Sequence, residues 1–303
     1  SAGEAYPLRL GDIHIRDPFV YAHPETKTYY LYAQAGRANK AVAGPGVQVY
    51  QSKDLRHWSQ PALVFQKPTN FWGGHEIWAP EMHRLGSAYY LFVSFNGRAG
   101  GRGTQILRAG SPEGPFEIFS AAANTPPEER CLDGTPWVDP DGTPWLIYCH
   151  EWVQIGDGAM KAVRMRPDWN ARAGTPLKLF HASEAAWVRP LATQSQASTN
   201  YVTDGPFLHR TPQGKLLMLW SSFGEKGYAM GWAQSDNGRV DGKWTQHAQP
   251  LFATDGGHCM VFRTFDGQLK LVLHQPNSGG KERARLFHLV EIADRLSLAS
   301  EPD

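Results

Sequence analysis

No apolar run in this chain approaches the roughly 20 residues that a membrane-spanning helix requires, so insertion into a bilayer as a helix is excluded. Neither sign of charge dominates: 30 Lys and Arg stand against 29 Asp and Glu, which gives no footprint for a nucleic acid or an acidic membrane surface. Cysteine is scarce. Cys131, Cys149 and Cys259 cannot all pair within one chain, and buried free thiols are expected, with a Cys131–Cys149 bridge between neighbouring strands left open. Long amphipathic helical patterns are scarce too. The glycine-rich "GRAGGRG" (97–103) lacks the Lys-Ser/Thr ending of a phosphate loop and reads as a flexible rim, while His75 and His83 in "HEIWAPEMH" lack the helical spacing of a zinc protease box. The opening "SAGEAYPL" shows neither an initiator Met nor a leader peptide, and it reads as a mature or trimmed start.

What the chain does contain is turn residues and indoles: 31 Gly, 22 Pro and 11 Trp. One pattern recurs. "RDPFVYAHPETKTYYLYAQ", "IWAPEMHRLGSAYYLFVSF", "LDGTPWVDPDGTPWLIYCHEW", "VTDGPFLHRTPQGKLLMLWSSF" and "GGHCMVFRTFDGQLKLVLHQ" each hold a polar lead-in, a strand, a tight turn and a strongly apolar second strand. Measured between Asp17, Glu81, Asp133, Asp204 and His258 the period averages about sixty residues, the mark of a repeat architecture. Further strand-like pieces such as "GVQVYQS" (46–52) and "YAMGWAQS" (228–235) fill the intervals. Five units of about four strands predict an all-β fold, a five-bladed β-propeller spanning 1–303 as one domain. The looser segments 119–130 and 189–200 read as surface connections.

A propeller gathers the start of each innermost strand around one funnel, which would bring Asp17, Asp133, Asp204 and His258 together, with Glu81 at the corresponding place in the second unit. Clustered carboxylates cannot all stay ionised, so their proton affinities should separate into an acid and a base. Two such carboxyls are the minimum apparatus for hydrolysing a glycosidic bond. Trp72, Trp78 and Trp152 are candidate platforms for sugar rings, and His75, Glu76 and Glu81 are candidate hydroxyl ligands. Trp220 reads as core.

"RDPF", "WAPE", the "DG" before "DPDG", "DGP" and "GGH", in that order from Ile13 to Gln275, resemble glycoside hydrolase family 43, whose members are five-bladed propellers acting on arabinose-, xylose- or galactose-containing polysaccharides. The resemblance implies Asp17 as general base, Asp133 as the carboxylate that raises and orients the acid, and Asp204 as the acid. It also implies His258 as an axial residue that helps hold a structural calcium ion or water cluster, with no cofactor required for the chemistry. One departure stands out. The family usually has Glu where this chain has Asp204, and the shorter side chain leaves Glu151 as an alternative acid, or else as a supporting hydrogen-bond acceptor or a ligand to a sugar hydroxyl. The function thus expected is inverting release of terminal sugars, α-L-arabinofuranosyl first, then β-D-xylosyl or β-D-galactofuranosyl. The resemblance implies a periplasmic or secreted location and a carbohydrate as partner, and a monomer is expected. A propeller that binds carbohydrate without cleaving it is the alternative.

Overall fold

The computed structural model describes residues 2–36, 44–191, 199–293 and 295–301. Twenty strands form five four-stranded antiparallel sheets, each built from consecutive chain. The first blade holds β1 (Phe19–His23), β2 (Thr28–Ala35), β3 (Gly46–Ser52) and β4 (Ala62–Gln66), and the second β5 (Gly73–Leu85), β6 (Ala88–Gly97), β7 (Arg102–Ala109) and β8 (Glu117–Ile118). The third has β9 (Cys131–Val138), β10 (Pro144–His150), β11 (Ala159–Arg164) and β12 (Leu177–His181); the fourth has β13 (Asp204–Arg210), β14 (Leu216–Gly224), β15 (Gly227–Ser235) and β16 (Trp244–Gln246). The fifth has β17 (Gly257–Arg263), β18 (Leu269–Gln275), β19 (Arg283–Ile292) and β20 (Arg295–Ser300). The helices are single turns, α1 (Ala2–Ala5) and α2 (Trp152–Ile155), and none among the described residues could cross a membrane. The chain is a five-bladed β-propeller.

Second strands such as "AYYLFVSFNG" are apolar almost throughout rather than alternating, because both faces of each blade are covered by its neighbours. The core is accordingly divided into five clusters, one per seam between blades. Tyr32 and Val49 meet Ile77 and Leu91 between the first and second blades, and Phe92 meets Tyr148 and Val163 between the second and third. Ile147 and Phe180 meet Met218 and Trp220, Leu219 meets Leu273, and Leu31 meets Phe262 across the remaining three seams. Trp220, fully buried with its ring 5.1 Å from Phe180 and 5.3 Å from Trp187, is core as expected; truncation to Ala would cost about 3–5 kcal/mol.

No strand is shared between the first and last blades. The ring closes instead through the segment leading into β1: Ile13 and Ile15 are buried in the fifth–first seam, and the Ile15 amide donates to the Glu282 carbonyl at 3.2 Å. Cys131 lies in the second–third seam and Cys149 in the third–fourth, on opposite faces of one blade, so the bridge left open above does not form; all three cysteines are buried free thiols.

The 119–130 segment corrects the reading of a surface connection. Ser120, Asn124 and Thr125 are buried, and the Asn124 and Thr125 side chains accept from the Ile106 and Thr104 amides at 2.9 and 3.1 Å, continuing the edge of β7 beyond the two-residue β8. In the second such segment, residues 192–198 lie outside the described residues.

Candidate active site

Each innermost strand carries the same backbone device, within it or just before it. Asp17, Ala79, Asp133, Gly205 and His258 all have positive φ, between 46° and 58°. In β5, β9, β13 and β17 this residue sits in a bulge: Trp78, Leu132, Asp204 and Gly257 still pair with the second strand, two residues are skipped, and pairing resumes at Glu81, Thr135, Phe207 and Met260. A left-handed backbone is strained for Asp, Ala and His and persists where its surroundings enforce it. Side chains of neighbouring second strands supply the enforcement. Ser94 accepts from the Asp133 amide at 2.8 Å, Ser221 from the His258 amide at 2.8 Å, and His274 Nδ1 from the Asp17 amide at 3.0 Å.

This register corrects two expectations. The second-blade counterpart of Asp17 is Ala79; Glu81 lies two residues further along, buried and bonded to its own neighbour His83 at 2.7 Å, because the bulge rather than the acid marks the equivalence. In the fourth blade the bend residue is Gly205, and Asp204 precedes it. Gly205 is required twice: by its φ of 52°, and because a Cβ would come within 2.8 Å of the His258 ring seated against it.

The bends bring Asp17, Asp133, Asp204 and His258 into one cavity of about 210 Å³, joined by Trp78, Arg102 and Tyr228. His258 Nδ1 lies 2.9 Å from Asp17 Oδ1 and 3.8 Å from Asp133 Oδ2. Asp133 Oδ2 accepts the Gly205 amide at 3.0 Å, and Tyr228 donates its hydroxyl to Asp204 Oδ2 at 3.0 Å. A second cavity of about 400 Å³ adjoins the first through Arg16, Asp17 and Trp78.

Burial alone would raise every one of these carboxyls, and their neighbours separate them. For Asp17 burial is opposed by His258 and then by His274 and Arg16, which together hold it well below the usual carboxylate range. For Asp133 burial wins over His258, with Asp17 adding to the rise, and its pKa is pushed up to about 7. Asp204 is raised well above its ordinary value, by burial first and by Asp133 next. His258 loses to burial less than it gains from Asp17 and Asp133, and its pKa rises to about 10. Near neutral pH the funnel thus holds an ionised Asp17 paired with an imidazolium, while Asp204 keeps its proton more tightly than an ordinary carboxyl.

The chain matches the family model Glycosyl hydrolases family 43 over residues 12–293. It belongs to that family. It is 38% identical to the endo-arabinase of Bacteroides thetaiotaomicron, whose crystal structure superimposes with a TM-score of 0.88 and coverage of 98% of this chain and 100% of that one. An endo-1,4-beta-xylanase from the same organism shares the fold at 22% identity, with a TM-score of 0.75 and 95% of each chain covered. Among curated proteins, the extracellular exo-alpha-(1->5)-L-arabinofuranosidase ArbA of Cellvibrio japonicus is 23% identical over 230 residues, covering 70% of this chain; the match spans 59% of that relative's length.

Within this family 43 site, the remaining sequence candidates lie further out. Glu151 is buried and lines neither cavity, with both carboxylate oxygens 2.7 Å from Arg102 Nη1. Trp78 lines both cavities, but the Arg102 guanidinium lies 4.8 Å from its ring centre and covers one face. Trp72 packs beside Phe71 and Phe95 and donates to Gln105 at 2.6 Å; Trp152 opens α2. His75 and Glu76 are exposed on the first half of β5, not in a loop, and Glu76 accepts from Asn96 at 2.9 Å. None of these four lines either cavity. For a channel ion, the fit is poor. His258 has Nδ1 committed to Asp17, leaving only Nε2 as a donor from this residue, and no cluster of three metal-ligating side chains exists among the described residues, whereas calcium takes six to eight oxygens.

Arg102, Tyr228, Arg16 and His274 escaped the sequence reading. Arg102 and Tyr228 come from third strands, where nothing in composition marks them, and Arg16 sits inside the "RDPF" motif beside the acid that drew the attention. Ser94, Ser221 and His274 did carry a signal, since they occupy one register position in "FVSF", "LWSS" and "VLHQ".

Proposed function

We propose that this family 43 protein hydrolyses α-L-arabinofuranosyl bonds in arabinose-containing polysaccharides or oligosaccharides with inversion at the anomeric carbon, working outside the cell. The carrying observation is that one small cavity holds two carboxyls on non-adjacent blades whose proton affinities are driven apart, Asp17 held low by His258 and Asp204 pushed up by burial. The endo-arabinase of Bacteroides thetaiotaomicron, at 38% identity against 22% for the xylanase of the same organism, and the Cellvibrio arabinofuranosidase support arabinose over xylose or galactose.

In this reading water sits between Asp17 and the anomeric carbon. Its oxygen bonds to that carbon while its proton passes to Asp17; the glycosidic bond breaks, and its oxygen takes the proton of Asp204. Such an arrangement needs carboxyls about 6.5–9.5 Å apart. His258 as imidazolium keeps Asp17 ionised and aimed. Asp133 sustains the proton on Asp204 by its nearby charge and, through the Gly205 amide, fixes the backbone beside it.

Proton NMR of the first sugar released from an aryl α-L-arabinofuranoside tests the reading. The β-anomer should appear first, and Asp17→Ala should abolish turnover. Early appearance of the α-anomer would sink the inverting assignment. Sugar binding without turnover in the unmodified protein would favour a lectin-like propeller.

A further inference from the structure

The side chains that hold the left-handed bends differ in chemistry. Ser94 and Ser221 offer hydroxyl oxygens, which accept an amide proton whatever the rotation of their O–H bonds. His274 serves Asp17 with a ring nitrogen, which accepts only while it carries no proton. The bond from the Asp17 amide to Nδ1 therefore places the one ring proton of a neutral His274 on Nε2.

Asn277 supplies what that tautomer needs. Its Oδ1 lies 2.8 Å from His274 Nε2 and 3.1 Å from Arg16 Nη2. A guanidinium has donors only, so the atom facing it is the amide oxygen, and that oxygen bonds Nε2 by accepting its proton. Tyr228 stacks on the ring at 5.6 Å, no part of His274 is exposed, and burial lowers the proton affinity of the imidazole.

The consequence falls on Asp17. His258 Nδ1 and His274 Nδ1 lie 2.9 and 3.6 Å from the same oxygen, Oδ1. His258 donates to it. A His274 with its proton on Nδ1 would oppose the Asp17 amide, release the bond that steadies a φ of 51°, and compete with His258 for Oδ1. The observed tautomer does neither, and Oδ2 is left to take the proton of water.

Resting on the reading of Asp17 as the base, we infer that Asn277 and His274 are positioning residues acting in series. Asn277 fixes the tautomer of His274, and that tautomer holds the Asp17 backbone so that its carboxylate meets His258 through Oδ1 alone.

Nitrogen-15 NMR of the labelled protein reads the tautomer directly, the His274 signals being those lost in His274→Asn. Nε2 should be pyrrole-like and Nδ1 pyridine-like near neutral pH, and Asn277→Leu should replace them with the averaged signals of exchanging tautomers. Arg16 keeps Glu282 and the Asn277 backbone carbonyl in that variant, so its effect reports on His274. On an aryl α-L-arabinofuranoside, His274→Leu should lower kcat about a hundredfold with KM nearly unchanged, and Asn277→Leu about tenfold. His274→Asn, whose Oδ1 can stand where Nδ1 stood, should recover most of the loss. A proton on Nδ1 in the unmodified protein, or a tautomer unmoved by Asn277→Leu, would overturn the inference even if His274→Leu failed to fold. Equal impairment of His274→Leu and His274→Asn would overturn it too. An inactive Asp17→Ala protein leaves the hydrolase reading standing in each of those cases, whereas an active one overturns that reading instead.

Discussion

The Tyr228 hydroxyl donates to Oδ2 of Asp204 at 3.0 Å while its ring lies nearly parallel to that of His274, 5.6 Å away and inclined by 17°. A donor on Oδ2 leaves Oδ1 to carry the acidic proton, so Tyr228 selects which oxygen can protonate a leaving group. It also favours the ionised carboxyl and restrains a rise in Asp204 set mainly by burial. Tyr228→Phe should therefore move the alkaline limb of the kcat profile to higher pH, and randomising the carboxyl's orientation should lower kcat about tenfold. A lower kcat with an unmoved limb would reduce Tyr228 to packing.

Asp204 and Glu151 differ in position more than in chemistry. Asp204 lines the cavity, whereas Glu151 lies outside its lining, tied to Arg102. Asp204→Asn should cost on the order of 10³-fold on arabino-oligosaccharides and far less on a dinitrophenyl arabinofuranoside, whose leaving group needs no proton. Glu151→Gln should slow both substrates by similar factors. If the leaving-group dependence appears in Glu151→Gln instead, Glu151 is the acid.

The propeller and the meeting of Asp17, Asp133, Asp204 and His258 were legible in sequence because inner strands repeat and their first residues share a backbone constraint. The second blade shows where such reading fails. Aligning acids selects Glu81; aligning the X-Pro steps Asp17-Pro18, Ala79-Pro80 and Gly205-Pro206 selects the bend residues, since the bulge fixes the backbone and leaves the side chain free to vary. Contacts such as Arg102 with Glu151 join different blades. They depend on the angle between sheets, which no local pattern encodes.

Arg102 and Glu151 form a buried pair, with side chains 14% and 6% exposed. Removing one partner strands the other charge, and the loss commonly reaches about 3–5 kcal/mol. Arg102→Met should lower the unfolding free energy obtained from chemical denaturation by that amount, and Arg102→Met/Glu151→Gln should recover most of it. A double variant no more stable than Arg102→Met would mean that Arg102 acts through Trp78 packing instead.

The catalytic cavity should set the pH dependence of folding. His258 rises from its ordinary value of 6.5 to about 10, so its contribution is full below about pH 6.5 and is lost as pH climbs through 10. Asp17 is lowered, so its contribution is present above its ordinary 3.8 and is lost on acidification. Asp133 runs the other way: raised to about 7, it keeps in the fold a proton that the unfolded chain gives up from 3.8 upward, and folding is penalised progressively across that interval. Stability should then be greatest in the mildly acidic range and decline toward alkaline pH. Asp133→Asn removes the penalised charge yet still offers an oxygen to the Gly205 amide. Its melting temperature should exceed that of the unmodified protein by a few degrees at about pH 8, with the gap closing near pH 5, while turnover falls. A gap that is the same at both pH values would show that Asp133 is ionised without penalty in the folded protein, and the separation of proton affinities across the funnel would have to be redrawn.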